Sequence, residues 1–333
     1  MQKLIFIVLV SLLFAHLVGC EGNHAYNRDV ILMDTFVRIE IRDKHSRIEN
    51  SRIAEKAISA MKQAEKELNI YKNEGEVSIV NNLKKGEELT ISPQLFGVLA
   101  ETRRVSVITN GYFDITILPV IRLWKKAKEE SKVPSDENIK SALKKVGLSG
   151  WSLNREQSSI KFLKDDVMID LGGIAKGYIV DIGIMTLVKS GVKNAIINAG
   201  GDMYCLGKTR WKVGIRDPEN TENIADVILV SDRGVATSGS YERYFEINGN
   251  RFSHIIDPKS GYPVDNDMES VTVIAESCML ADALSTAVFV AGSERGMKFI
   301  ESTKDAECVI VKKGGEEKFS SGALKYKAEL KSS

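Results

Sequence analysis

Histidine is scarce in this sequence. Four occur in 333 residues, and His16, His24 and His45 all fall near the N-terminus. His254 is therefore the one imidazole available to the later part of the chain. Cysteine is just as sparse, with Cys20, Cys205, Cys278 and Cys308. The last three are far apart and odd in number, which excludes a disulfide framework and a cysteine metal cluster. Buried free thiols are the expectation. A charge excess of one sign is also missing: 46 basic and 45 acidic residues leave a formal net charge of +1. With no broad basic field, nucleic acid is excluded as a partner class. The chain has no internal repeat, no low-complexity block and no interdomain linker. What it does have is ordinary globular composition, 43% hydrophobic and 27% charged, enough for one sizeable core.

One long apolar run is present, Leu4 to Val18, interrupted only by Ser11 and His16 and preceded by Lys3. A membrane-spanning helix needs roughly 20 such residues, so the run fits the apolar stretch of a signal peptide better. It ends in Leu17-Val18-Gly19-Cys20, which resembles the bacterial lipobox. That likeness implies a lipoprotein signal peptide over 1–19, lipid on Cys20, a polar tether over 20–29 and a catalytic domain over 30–325. The protein would then be exported and membrane-anchored, on the periplasmic face or the cell surface. The alternative is a plain signal peptide with an incidental cysteine.

Beyond the tether, Phe36 to Ile41 alternates apolar and polar and predicts a strand. Ile53, Ala57, Ala60, Met61, Ala64 and Leu68 recur at helical spacing and predict an amphipathic helix over 51–68. Further helices are expected over 94–108, 178–190 and 279–291, and a solvated helix or loop over the charged stretch 125–140. Strands are expected at Ala195–Ile197, Val227–Val230 and Val271–Ile274. Mixed strands and helices of this kind predict an α/β body (mixed α+β), with central sheets flanked by helices in one domain. The tail after Lys325 reads as frayed.

Five segments carry candidate chemistry. Asp170-Leu171-Gly172-Gly173-Ile174-Ala175-Lys176-Gly177 places paired glycines before a helix, where free N–H groups and the Lys176 charge suit phosphate. A plain strand–turn–helix explains the same residues, and the pattern is neither a Walker loop nor GxGxxG. Asn198-Ala199-Gly200-Gly201-Asp202 is a second tight turn after an apolar strand. His254-Ile255-Ile256-Asp257-Pro258 runs into a Pro/Gly turn; His254 is structural or catalytic, and Asp257 can simply brace the turn. Asp282 and Thr286 share a helix face at i, i+4. Their oxygens suit Mg2+, though an Asp near a helix start and a back-bonding Thr would look alike. Asp114 and Thr116, in Asn110-Gly111-Tyr112-Phe113-Asp114-Ile115-Thr116, are turn residues or ligand contacts.

Order and wording add what spacing lacks. Gly111 to Thr116 with Trp124, Asp170 to Tyr178, Asn198 to Asp202, Thr237-Ser238-Gly239, His254 to Pro258 and Ala281 to Leu284 occur in one sequence. Together they resemble the ApbE family of FAD:protein FMN transferases over about residues 30–310. The resemblance implies FAD in an elongated cleft, with Met33 and Tyr71 against the isoalloxazine ring. It places Tyr112, Phe113, Asp114, Asp170, Lys176 and Ile256 at other FAD-binding positions. It places the metal on the Gly173 carbonyl, Asp282 and Thr286. The implied reaction moves FMN from FAD to a Thr or Ser hydroxyl of another protein and releases AMP, with Mg2+, and with His254 as proton acceptor. Implied acceptors are exported or membrane flavoproteins such as Rnf- or Nqr-like subunits. Alternatives are an FAD pyrophosphatase, a non-enzymatic flavin-binding lipoprotein, or a protein of thiamine synthesis, for which no residue speaks. Two positions depart from the family: Asp34 replaces a glycine, and Gly75 a serine.

Overall fold

The computed structural model describes residues 25–70, 75–217, 223–240 and 244–328. The signal peptide, Cys20 and Tyr71 lie outside them.

Backbone pairing starts at once. Strands β1 (Tyr26–Leu32) and β2 (Thr35–Ile41) form a hairpin. Its two turn residues, Met33 and Asp34, have φ of 55° and 54°, as a two-residue turn matched to strand twist requires. This accounts for Asp34 where the family has glycine, since Asp is among the few side chains that tolerate the left-handed region. The expected tether over 20–29 is corrected here, because Tyr26 to Asp29 already belong to the sheet.

Four helices open on a serine whose hydroxyl accepts an N–H of the first turn. Ser46 caps α1 (Arg47–Leu68). After the short α2 (Glu76–Val80), Ser92 caps α3 (Pro93–Ile108). After α4 (Leu118–Glu129), Ser135 caps α5 (Asp136–Leu143). Past α6 (Ala175–Lys189), Ser277 caps α7 (Cys278–Ala291), and α8 (Ser293–Glu301) follows. The charged stretch 125–140 is thus neither one helix nor one loop: it holds the end of α4, a break and the start of α5.

The main sheet has eight strands, all antiparallel to their neighbours. β1 and β2 are joined by β6 (Ala195–Ala199), β7 (Asp202–Leu206), β10 (Arg233–Gly239), β13 (Met268–Ala275), β14 (Glu307–Lys312) and β15 (Glu317–Phe319), in that order. Strand alternation sends side chains to two cores. Ile197, Ala236, Val271, Val273 and Ile310 face α1, α6 and α7. Cys205, Val235, Ile274, Val309 and Val311 face a hairpin of β8 (Trp211–Arg216) and β9 (Ile224–Val230). The C-terminal end is not frayed at Lys325. Ala328 N–H donates to Val227 O at 2.9 Å, and Lys327 pairs with Asp226 at 2.7 Å.

Two smaller units complete the molecule. β3 (Glu88–Thr90), β5 (Ser159–Phe162) and β4 (Trp151–Asn154) make a three-stranded sheet. The hairpin β11 (Tyr244–Ile247) and β12 (Asn250–Ser253) packs with α4 and α5 around Trp124. The Trp124 indole N–H donates to Gly261 O at 2.8 Å, so α4 fixes the turn that follows His254.

Candidate functional site

Helix α6 begins without a side chain of its own to cap it, since Ile174 occupies the N-cap. The partner comes from α7: Asp282 Oδ2 accepts the Gly177 N–H at 3.0 Å. The debt is returned at the start of α7, where Asp181 of α6 accepts the N–H groups of Cys278 and Met279, each at 2.9 Å. Each helix therefore caps the other with a carboxylate, the charge favoured at a helix N-terminus. Gly177 permits the crossing, because a Cβ there would lie 2.3 Å from Cys278 O. Two of the N–H groups after the paired glycines are accordingly taken within the protein: Ala175 N–H goes to Leu171 O and Gly177 N–H to Asp282.

Charge gathers at this crossing. Lys176 Nζ pairs with Asp202 Oδ2 at 3.2 Å, and the Lys176 charge acts on Asp282 as well. Burial pushes the Asp282 carboxyl up, against the Lys176 charge and the Gly177 N–H. Asp181 is pushed up to about 7 by burial, and the Asp282 charge adds to this against the two N–H donors. Beside the cluster, a Cβ on Gly173 would lie 3.2 Å from both Thr286 Oγ1 and Phe113 Cε2. Gly173 thus runs against the Thr286 hydroxyl, one helical turn beyond Asp282. Among the described residues no group of three or more His, Cys, Asp or Glu forms a metal cage. One carboxylate, one hydroxyl and one nearby backbone carbonyl are a hard oxygen set that suits Mg2+, an ion that keeps open positions for substrate phosphates.

The remaining expected residues extend outward from there. Phe113 is 4% exposed, so its ring is committed to the core. Asp114 accepts the N–H and hydroxyl of Thr116, at 2.8 and 2.5 Å, and burial raises its pKa. Asp170 accepts the Gly172 N–H at 2.7 Å, donates its own N–H to Ile115 O, and is likewise raised by burial. Both are turn-forming carboxylates in this chain. Tyr112 receives a hydrogen bond from Arg295 at 2.5 Å, and Lys259 Nζ sits 4.3 Å from its ring centre. Lys259 N–H donates to Asp257 Oδ1, so Asp257 does brace its turn. His254 is exposed on the same loop. Ile256 is 8% exposed beside Trp124; its side chain is core, which leaves only its backbone for ligand contact. At the other end, Met33 N–H donates to Glu65 at 2.9 Å. The turn it opens lies on Gly200, whose N–H donates to Phe36 O and where a Cβ would meet Thr35 Oγ1 at 2.3 Å.

These contacts form one continuous line. It runs from the Met33 turn through Gly200 to Asp202, Lys176 and Asp282, then through Thr286, Gly173 and Phe113 to Tyr112 and Lys259. Residues 33–310 match the family described as ApbE. The chain belongs to the ApbE family. An ApbE-family relative from Haemophilus influenzae, named FAD:protein FMN transferase, is 31% identical over 325 residues, 94% of each chain. One of the same name from Vibrio cholerae is 32% identical over 259 residues, 76% of this chain and 77% of that one. The crystal structure of the ApbE protein from Thermotoga maritima has a TM-score of 0.83 at 32% identity, covering 92% of this chain and all of that one. The flavin transferase ApbE from Vibrio cholerae has a TM-score of 0.78 at 26% identity, covering 91% and 99%.

For this ApbE chain, sequence reasoning gave no role to Asp181, Asp202, Lys259 or Arg295. Asp202 closes a recognised motif and Asp181 lies three residues beyond another, but their partners lie about a hundred positions away for Asp181 and about twenty-five for Asp202. No local pattern signals such pairings.

Proposed function

We propose that this protein transfers FMN from FAD to a Thr or Ser hydroxyl of an acceptor flavoprotein, releasing AMP. The carrying observation is the meeting of Lys176, Asp282, Thr286 and Gly173 at the start of α6. It combines a cation with hard oxygen donors, as a pyrophosphate substrate needs. Mg2+ held by Asp282, Thr286 and the Gly173 carbonyl would neutralise pyrophosphate oxygens and polarise the phosphorus. Lys176 would bind the same anion as a point charge. Tyr112, steadied by Arg295 and Lys259, offers an aromatic face to a flat ring. In the transfer, the acceptor hydroxyl oxygen bonds to the FMN phosphorus, the pyrophosphate P–O bond breaks, and AMP leaves. His254 takes the hydroxyl proton. Its exposure suits this role, because an acceptor carried by another protein must reach it from solvent.

The test is mass spectrometry of an exported or membrane flavoprotein, such as an Rnf- or Nqr-like subunit, after incubation with this protein, FAD and Mg2+. A mass gain of one FMN on a single Thr or Ser, lost with EDTA, supports the transferase. Steady FMN and AMP release without an adduct favours an FAD pyrophosphatase. Bound FAD with neither product favours a flavin-binding lipoprotein.

Anchoring by lipid on Cys20 belongs to the same reading. No helix among the described residues is long and apolar enough to cross a membrane. Cys20→Ser should move the protein from the membrane to the soluble fraction; retention in the membrane would refute lipid anchoring at that residue.

A further inference from the structure

Asp202 has no part in the chemistry above, yet it is placed with care. It opens β7 directly after a turn in which Gly200 and Gly201 have φ of 62° and 108°. Gly201 N–H is held by Asn198 Oδ1 at 2.9 Å, and Ala199 pairs with Asp202 across the hairpin. The carboxylate is 2% exposed and pairs with Lys176. Two carboxylates and one ammonium therefore share one buried cluster. Lys176 is a charge that both carboxylates feel, and its ion pair is with Asp202. An ammonium settled on Asp282 would compete with any divalent cation for the same oxygens.

We infer that Asp202 is a positioning residue: by holding the Lys176 ammonium at its own carboxylate, it keeps Asp282 open to a divalent cation. This rests on the proposed function only in taking Asp282 as a metal ligand. The lysine stays within the site and can still bind phosphate, while the turn that carries Asp202 fixes where the ammonium sits.

The experiment titrates Mn2+ into the full-length protein, with free ion read by electron paramagnetic resonance. FAD affinity is read separately by flavin fluorescence, and folding by thermal melting. Asp202→Asn is expected to weaken Mn2+ binding roughly 10-fold, the scale of losing an outer-shell partner. Adding Lys176→Met in that background is expected to recover most of the loss, because the competing ammonium is gone. A purely structural role for Asp202 would leave the double variant as weak as the single. Lys176→Met alone is expected to leave Mn2+ affinity at or above that of the unaltered protein while weakening FAD, so the inference remains testable where Asp202→Asn does not fold. Unchanged Mn2+ affinity in folded Asp202→Asn, no recovery in the double variant, or weaker Mn2+ binding in Lys176→Met would overturn it. Flavin transfer is read in none of these titrations. An absent adduct with this order of affinities intact would count against the transferase alone; an adduct without that order would count against Asp202 alone.

Discussion

At the scale of single residues, site chemistry divides by what each side chain is free to do. His254 is exposed, whereas Phe113 and Ile256 are committed to packing. His254→Ala is expected to keep FAD affinity and lose transfer by about 10²–10⁴-fold, the range of a lost general base. Fluorescence titration and single-turnover mass spectrometry would separate the two. Full transfer by the variant would remove His254 from the mechanism. Asp282→Ala should raise the Mg2+ needed for half-maximal transfer by about 100-fold or more, since outer-shell losses alone reach that order. Asp282 and Thr286 were legible as a pair because helical spacing is local. Gly173 entered only through family likeness, as nothing in its neighbours announces contact with residue 286. Asp114 and Asp170 show the reverse case, in which turn-forming bonds explain residues that likeness assigns to FAD.

Among the elements, the reciprocal capping of α6 and α7 governs the site. Gly177 is inside a helix, where Gly→Ala ordinarily stabilises by about 1 kcal/mol. Here the added Cβ would lie 2.3 Å from Cys278 O, so Gly177→Ala should instead destabilise by about 1–3 kcal/mol. Urea unfolding would decide, and a stabilised variant would mean that the helices separate without cost. Asp181 adds a pH dependence. Its folded pKa of about 7 lies above the ordinary value of about 3.9. The stability linked to its proton is complete below about pH 4 and is lost as pH rises through about 7. Melting temperature should fall across that window, and Asp181→Asn should flatten the slope. Asp114, Asp170 and Asp282 are raised in the same direction, so some slope remains. Helix positions were legible from apolar spacing. The crossing was not, because Asp181 and Cys278 meet only in the tertiary fold.

The molecule as a whole joins two cores across one sheet, and its thiols report on both. Cys205 faces the β8–β9 side, while Cys278 and Cys308 face the helices. All three are buried and free, and burial pushes Cys205 and Cys308 up to about 12. A thiol reagent should label none of the three in the native protein and all three together on unfolding, as for a single cooperative unit. Labelling of Cys205 alone would show the β8–β9 side opening separately. The mixed α/β character was readable from alternating apolar patterns, whereas the strand order was not. Strands adjacent in sequence are not always adjacent in the sheet: β2 lies against β6, pairing Val37 with Ala199.

That pairing has a consequence for how the chain acquires its shape. The β1–β2 hairpin can close by itself as soon as residue 41 exists. Its open edge, the backbone of Val37, Ile39 and Ile41, has no strand to pair with until β6 has been made and brought back. Closing so large a loop before its contacts repay it is slow. A nascent chain must therefore carry a sticky, half-finished edge through about half of its synthesis, and a holdase that shields the first forty residues of the described chain would raise the yield more than one acting near the C-terminus.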